Sequence, residues 1–293
     1  MPYRIDEPSD QNDANAPAPK PLTVRYHEYG SPALVLDAAL ESEIALAITY
    51  NGLNQAVMMV SPGNIGDFIR GFSVSNDFVE GLNEIYDIRL SHFDQGCQAD
   101  VQILSRAFWA LKDHRRQLAG TSGCGLCGVE ALEQGLPKLD ILPLTTRPPA
   151  AHFIGLRERI EKAQIVGKSS GALHAALYFD ANGLALLCRE DIGRHNALDK
   201  LIGAVQHTQI DARCGFIVVT CRCSLELIHK AARFKFGTLV SLSAPTSLTV
   251  QWALKYRLNL IHVPYRSVPR IHSPIEFGSA NNKRRLKFNF QHT

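Results

Sequence analysis

The sequence predicts an α/β protein, with a C-terminal α/β domain preceded by a smaller N-terminal α+β domain. Three observations predict it. Beyond about residue 190, strand-length apolar runs alternate with helix-length amphipathic runs, the order that yields parallel strands joined by right-handed crossovers. Before residue 105, β-branched and aromatic runs follow one another with a single helical pattern among them. Between the two patterns lies a proline-rich boundary, Leu142-Pro143-Leu144-Thr145-Thr146-Arg147-Pro148-Pro149. The expected organisation is a tail over 1–22, an α+β domain over 23–147, an α/β domain over 148–275 and a basic tail over 276–293.

Residues 1–22 are rich in Pro, Asp, Asn and Ala and lack an apolar signal-peptide core, so they read as a disordered tail. Thr23 to Glu28 and Ile44 to Tyr50 read as strands. Asn51-Gly52 is a hairpin turn signal, with Gln55 to Val60 as the returning strand. Ile65, Phe68, Ile69 and Phe72 then recur at helical spacing. Ile85 to Leu90 and Ala99 to Leu104 read as two more strands, while His92, His114, Arg115 and Arg116 read as solvated surface. Past the boundary come an amphipathic helix over Phe153 to Ile165 and a hairpin of Leu173–Phe179 with Leu184–Cys188. Helices from Asn196 to Val205, Ser224 to Phe234 and Thr246 to Tyr256 then alternate with strands Phe216–Thr220, Thr238–Leu242 and Leu258–Val263.

Composition narrows the function classes. At 293 residues, 45% hydrophobic and 20% charged, the chain matches an ordinary soluble globular protein. A net charge of +3 is too small to argue for a nucleic-acid partner. No apolar run reaches the roughly 18 residues that a membrane span requires. Seven cysteines, an odd number scattered through apolar segments, suit free thiols in a reducing cytoplasm.

In an open α/β sheet, ligands bind beyond the carboxyl ends of the strands, where helices begin. Four polar segments are expected there: 189–196, 220–224, 243–247 and 264–267, which include Arg194, His195, Ser243, Thr246 and Arg266. Helix-start N–H groups, hydroxyls and arginines together suit an anion, and a phosphate-bearing ligand fits them best. The glycine fingerprints of P-loop ATPases and dinucleotide-dependent dehydrogenases are missing.

The reactive-looking stretch is Gly120-Thr121-Ser122-Gly123-Cys124-Gly125-Leu126-Cys127-Gly128, with a short helix expected over 129–133. A thiol near a helix N-terminus is favoured as thiolate. Four readings remain open for it: a zinc half-site, a thioredoxin-like redox pair, a structural turn, and a reactive thiol on a flexible loop. Zinc is disfavoured because the remaining close pair, Cys221 and Cys223, has no supporting ligand cluster. Nucleobase deamination is excluded: His174-Ala175-Ala176 lacks the glutamate of His-x-Glu, and no Pro-Cys-x-x-Cys occurs.

Four motifs, Gly123-Cys124-Gly125-Leu126-Cys127-Gly128-Val129-Glu130, Gly171-Ala172-Leu173-His174-Ala175-Ala176, the run from Arg189 to Lys200, and Ser243-Ala244-Pro245-Thr246-Ser247-Leu248, together resemble the FdhD family. The resemblance covers about Val35 to Tyr265. It implies a cytidine-deaminase-like C-terminal domain and a sulfurtransferase needed to mature formate dehydrogenase. It further implies that a cysteine desulfurase loads Cys124 as a persulfide, with Cys127 assisting. The sulfur then passes to molybdenum or tungsten in the bis(molybdopterin guanine dinucleotide) cofactor, with GDP as a mimic of that substrate and no zinc. The family's cofactor-binding stretch falls on Val263, Pro264, Tyr265, Arg266, Ser267 and Val268. A homodimer is also implied. A non-catalytic chaperone for the molybdenum cofactor is the alternative from a different class.

Overall fold

The computed structural model describes residues 22–94, 96–120, 139–167, 170–208 and 210–274. Cys124, Cys127, the rest of residues 121–138 and so the short helix expected over 129–133 lie outside the described residues, as do 1–21 and 275–293. Leu22, which the sequence assigns to the tail, is the first residue of a strand.

The chain begins with a two-stranded antiparallel ribbon, β1 (Leu22–Glu28) and β2 (Ser31–Leu40), which sequence reading saw only as its first strand. Its register places Leu22 opposite Leu40, Val24 opposite Ala38 and Tyr26 opposite Leu36. Directly paired residues share a face, so one face of the ribbon is wholly apolar along these three rows. The other face is mixed, pairing Thr23 with Ala39, Arg25 with Asp37 and His27 with Val35.

A four-stranded sheet follows, β3 (Ile44–Tyr50), β4 (Leu53–Val60), β5 (Ile85–Phe93) and β6 (Gly96–Ile103), in the order β4-β3-β6-β5. Helix α1 (Ile65–Ser75) covers one of its faces, burying Phe68 and Ile69 with Leu46, Ile48, Ala99 and Val101. Helix α2 (Ser105–Gly120) runs through the basic segment that sequence reading left outside any element. The helix expected over Phe153 to Ile165 is shorter. A 3-10 turn spans Ala150–Phe153, Gly155 takes φ +61°, and α3 occupies Leu156–Ala163.

The C-terminal sheet has six strands in the order β12-β11-β10-β9-β7-β8. These are β7 (His174–Phe179), β8 (Ala185–Asp191), β9 (Phe216–Val219), β10 (Thr238–Ser241), β11 (Asn259–His262) and β12 (Arg270–Ser273). Strands β9, β10 and β11 are parallel, as the alternation predicts. The sheet as a whole is mixed, because β7 pairs antiparallel with both β8 and β9, and β12 closes the far edge antiparallel to β11. Helices α4 (Arg194–His207), α5 (Leu225–Arg233) and α6 (Ser247–Tyr256) complete the domain. Leu142, Thr145 and Arg147 of the proline-rich segment bond to Tyr256, Gly237 and Pro274, so this segment packs on the C-terminal half.

The two halves meet where α1 crosses α4. A Cβ on Gly71 would lie 1.8 Å from the Asp199 carbonyl oxygen, and one on Gly203 would lie 2.0 Å from that of Asp67. Two glycines therefore allow backbone-to-backbone approach of the helices. Buried charges frame the crossing. Arg189 Nε donates to Asp67 at 2.7 Å, and Lys200 Nζ sits 2.7 Å from Asp191 and 2.8 Å from the Ser61 carbonyl. Asp191 also accepts from the backbone N–H groups of Ser61 and Gly193 and from Asn196 Nδ2. Every oxygen of this buried carboxylate is thus engaged, which is what keeps a buried charge tolerable.

Candidate functional site

The topology gathers the four predicted polar segments on one edge. Strands β8, β9, β10 and β11 all end there, and because β7 runs antiparallel to β9 its first residue, His174, arrives at the same edge. Thr220 Oγ1 accepts the Ala175 N–H at 2.9 Å, which fixes β7 against the end of β9.

Arg194 opens α4 at the centre of this edge. It is half-buried, and its Nε is buried without a hydrogen-bond partner among the described residues. Its charge acts on three neighbours: it pulls the His174 and His195 imidazoles down, secondary to burial, and opposes the burial that pushes the Cys221 thiol up to about 11. Burial likewise raises Cys223, to about 12. Both thiols are therefore held protonated at neutral pH, as expected of structural cysteines.

His195 Nε2 lies 2.5 Å from Glu226 and 3.3 Å from Ser224 Oγ. Burial pulls its pKa below the ordinary range, against the opposing effect of Glu226. The ring is thus mainly neutral at pH 7 and meets Glu226 as an N–H donor. This leaves the guanidinium of Arg194 and not an imidazolium as the charge available here.

Along the edge, Thr246 caps α6 by accepting the Thr249 N–H, so part of its hydrogen-bonding capacity is spent on the helix. Ser243 lies in the turn before it, where Ser241 Oγ donates to the Ser243 carbonyl at 2.8 Å. Beyond β11, Val263 is buried, Pro264 half-buried, and Tyr265, Arg266, Ser267 and Val268 are exposed. Arg266 takes φ +55°, a left-handed conformation uncommon for a non-glycine residue, and its guanidinium lies 4.8 Å from the Tyr265 ring centroid.

Sequence reading missed Arg157. It reaches from α3 to the Leu242 and Val263 carbonyls, at 3.4 and 3.2 Å, and lies 5.5 Å from the Tyr265 centroid on the strand-end side. Nothing in its local sequence marks it, because its role depends on partners 85 and 106 residues away. His174 stood in a quoted motif but had no role assigned to it.

The rest of the long 189–200 motif serves the fold. Glu190 accepts from the backbone N–H groups of Ile165, Val166 and Gly167, and Asp199 binds Ser75 and Lys230. Among the described residues, no cluster of His, Cys, Asp and Glu could hold a metal ion.

Fold and edge together define a class: a mixed α/β protein whose strand ends form a basic rim, with exposed aromatic surface, suited to an anionic ligand. The chain belongs to the FdhD/NarQ family, whose model matches residues 41–274. Among its relatives is the sulfur carrier protein FdhD of Cupriavidus necator, 39% identical, with 86% of this chain and 88% of the relative aligned. The protein of that name from Variovorax paradoxus is 41% identical over 70% of this chain and 74% of its own. A crystal structure described as that of a formate dehydrogenase accessory protein from Desulfotalea psychrophila shares the fold, with a TM-score of 0.63 over 87% of this chain and 97% of that one at 20% identity. No helix among the described residues is long and apolar enough to cross a membrane.

Proposed function

We propose that this chain carries sulfur from a cysteine desulfurase to the bis(molybdopterin guanine dinucleotide) cofactor of formate dehydrogenase, in the cytoplasm. The observation that carries this reading is the single strand-end rim holding Arg194, Tyr265 and Arg266, in a chain whose relatives bear the name sulfur carrier protein. Arg194 suits a phosphate of the guanine dinucleotide because a partly buried guanidinium with a free N–H gains most from an anionic acceptor. Tyr265, exposed beside two guanidinium groups, suits a nucleobase face. Ser243 and Thr246, in the loop after β10, and Ser267, beside Arg266, supply neutral donors at the same rim. The cytidine-deaminase-like character of the C-terminal half belongs to the same reading, supported by a β7–β8 hairpin set beside three parallel strands.

The chemistry needs Cys124. Its thiolate attacks the outer sulfur of the desulfurase persulfide, the S–S bond breaks, and the desulfurase cysteine leaves as a thiolate. The exchange is redox-neutral. For release as sulfide, Cys127 thiolate attacks the inner sulfur of the Cys124 persulfide. That forms a Cys124–Cys127 disulfide and expels HS⁻, and a thiol reductant then restores both cysteines.

Mass spectrometry of the full chain after incubation with desulfurase and cysteine tests the reading. One added sulfur is expected on the peptide containing Cys124, and none on Cys124→Ala. Cells carrying Cys124→Ala that retain full formate dehydrogenase activity would instead indicate a cofactor chaperone that transfers no sulfur.

A further inference from the structure

The pairing of β10 with β11 runs out at Ser241 and His262, with one further bond from the Val263 N–H to the Ser241 carbonyl at 2.9 Å. A parallel ladder continued in the same register would next bring the Ser243 N–H to the Val263 carbonyl. That N–H instead donates to Ser241 Oγ at 3.3 Å, and Pro264 has no N–H to offer. Arg157 takes the place of the missing rung. From the first turn of α3 its Nη2 donates to the Leu242 and Val263 carbonyls, at 3.4 and 3.2 Å. One side chain thus ties together the exits of two adjacent strands, immediately before the turn at Tyr265 and Arg266 that leads to β12. The turn itself is exposed, with Tyr265 at 66% and Val268 at 74%. Within it Arg266 holds φ +55°, a conformation that a non-glycine residue keeps only where its surroundings fix it. The Arg157 guanidinium reaches this turn as well, 5.5 Å from the Tyr265 ring centroid.

We infer that Arg157 is the positioning residue of the 263–268 stretch, pinning the turn so that the Tyr265 ring is already set when the base of the ligand arrives. This rests on the reading that the rim takes the guanine dinucleotide, and it adds to that rim a residue from a different element. The chemistry separates it from two simpler roles. An arginine that met a phosphate directly would act whatever stood at position 265, and one that only supported the fold would act on stability. Arg157 spends its Nη2 on two backbone carbonyls, so it serves the ligand through the turn that those carbonyls anchor. Ordering a binding segment beforehand removes a cost that the ligand would otherwise meet on arrival.

Two measurements on the full chain test this. The first is hydrogen exchange without ligand. Arg157→Met keeps the apolar stem and removes the donors, so the amides from Tyr265 to Val268 should exchange roughly fivefold faster or more, while the urea midpoint moves little. The second is a double-mutant cycle read by calorimetric titration with GDP. Arg157→Met should weaken GDP binding by roughly five- to tenfold, as for a turn that holds its bound shape only about a fifth to a tenth of the time. In the Tyr265→Leu background the same change should cost less than about twofold. Unaltered exchange, a urea midpoint that falls in step with binding, or a GDP effect undiminished in Tyr265→Leu would each overturn the inference and leave the rim reading standing. No GDP binding by the wild type would overturn both.

Discussion

The seam between the two halves and the rim at the strand ends draw on the same charged motif and use it in opposite ways. At the seam, Arg189, Asp191 and Lys200 are buried, and each is paired with an opposite charge. At the rim, three to six residues away along the chain, Arg194 has an Nε without a partner among the described residues and His195 faces a carboxylate that is 66% exposed. A run of charged residues is therefore not one functional unit. Its ends hold the halves together, and its middle lies at the strand-end rim, where we propose the ligand binds.

The largest effect that can break this comparison is at the seam. Lys200→Met leaves Asp191 buried without its cation and should lower unfolding stability by about 3–5 kcal/mol in urea titrations. A loss below about 1 kcal/mol would mean that water reaches the seam. Gly203→Ala comes next. Its Cβ would lie 2.0 Å from a backbone oxygen that cannot swing aside, so about 1–3 kcal/mol should be lost, read from the same urea midpoint.

A smaller effect comes from buried histidines. The His229 ring lies between Trp252 and Tyr256, with neither ring nitrogen hydrogen-bonded among the described residues. Burial, and then Lys255, holds its pKa below the ordinary range, and burial also lowers His174, His262 and His272. The folded state thus favours neutral rings, and the unfolded chain takes up protons first, near pH ~6.5. Stability should be full above that pH and fall as the pH drops through it. The urea midpoint should decline toward pH ~5, and His229→Leu should make the decline shallower. The smallest effect belongs to the rim: Arg194→Ala should shift unfolding stability by no more than about 0.5 kcal/mol, because among the described residues Arg194 makes no ion pair.

The parts that sequence reading recovered are those whose signal is local. Asn51-Gly52 fixes the β3–β4 turn, and the alternation from Phe216 to His262 yields the parallel core and its strand-end loops. What it missed depends on distance or on polarity. Helix α2 carries only a short apolar stripe, Ala107 and Leu111 with Phe108 beside them, before the chain turns basic, and β12, Arg270–Ser273, is short, polar and at the sheet's edge. Strand β2 carries an apolar pattern, but the register that gives the ribbon one apolar face emerges only from its pairing with β1. The structural duty of Arg189 was hidden for the same reason as that of Arg157, because Asp67 lies 122 residues away.

The central claim, that the rim and not the seam meets the ligand, is tested most directly by calorimetric titration with GDP. The intact chain should bind GDP. Arg194→Ala should weaken binding by about 1.5–3 kcal/mol, the cost of losing a charge-assisted hydrogen bond, while its urea midpoint stays close to that of the wild type. No detectable GDP binding by the intact chain, or equal affinity in Arg194→Ala, would contradict the account.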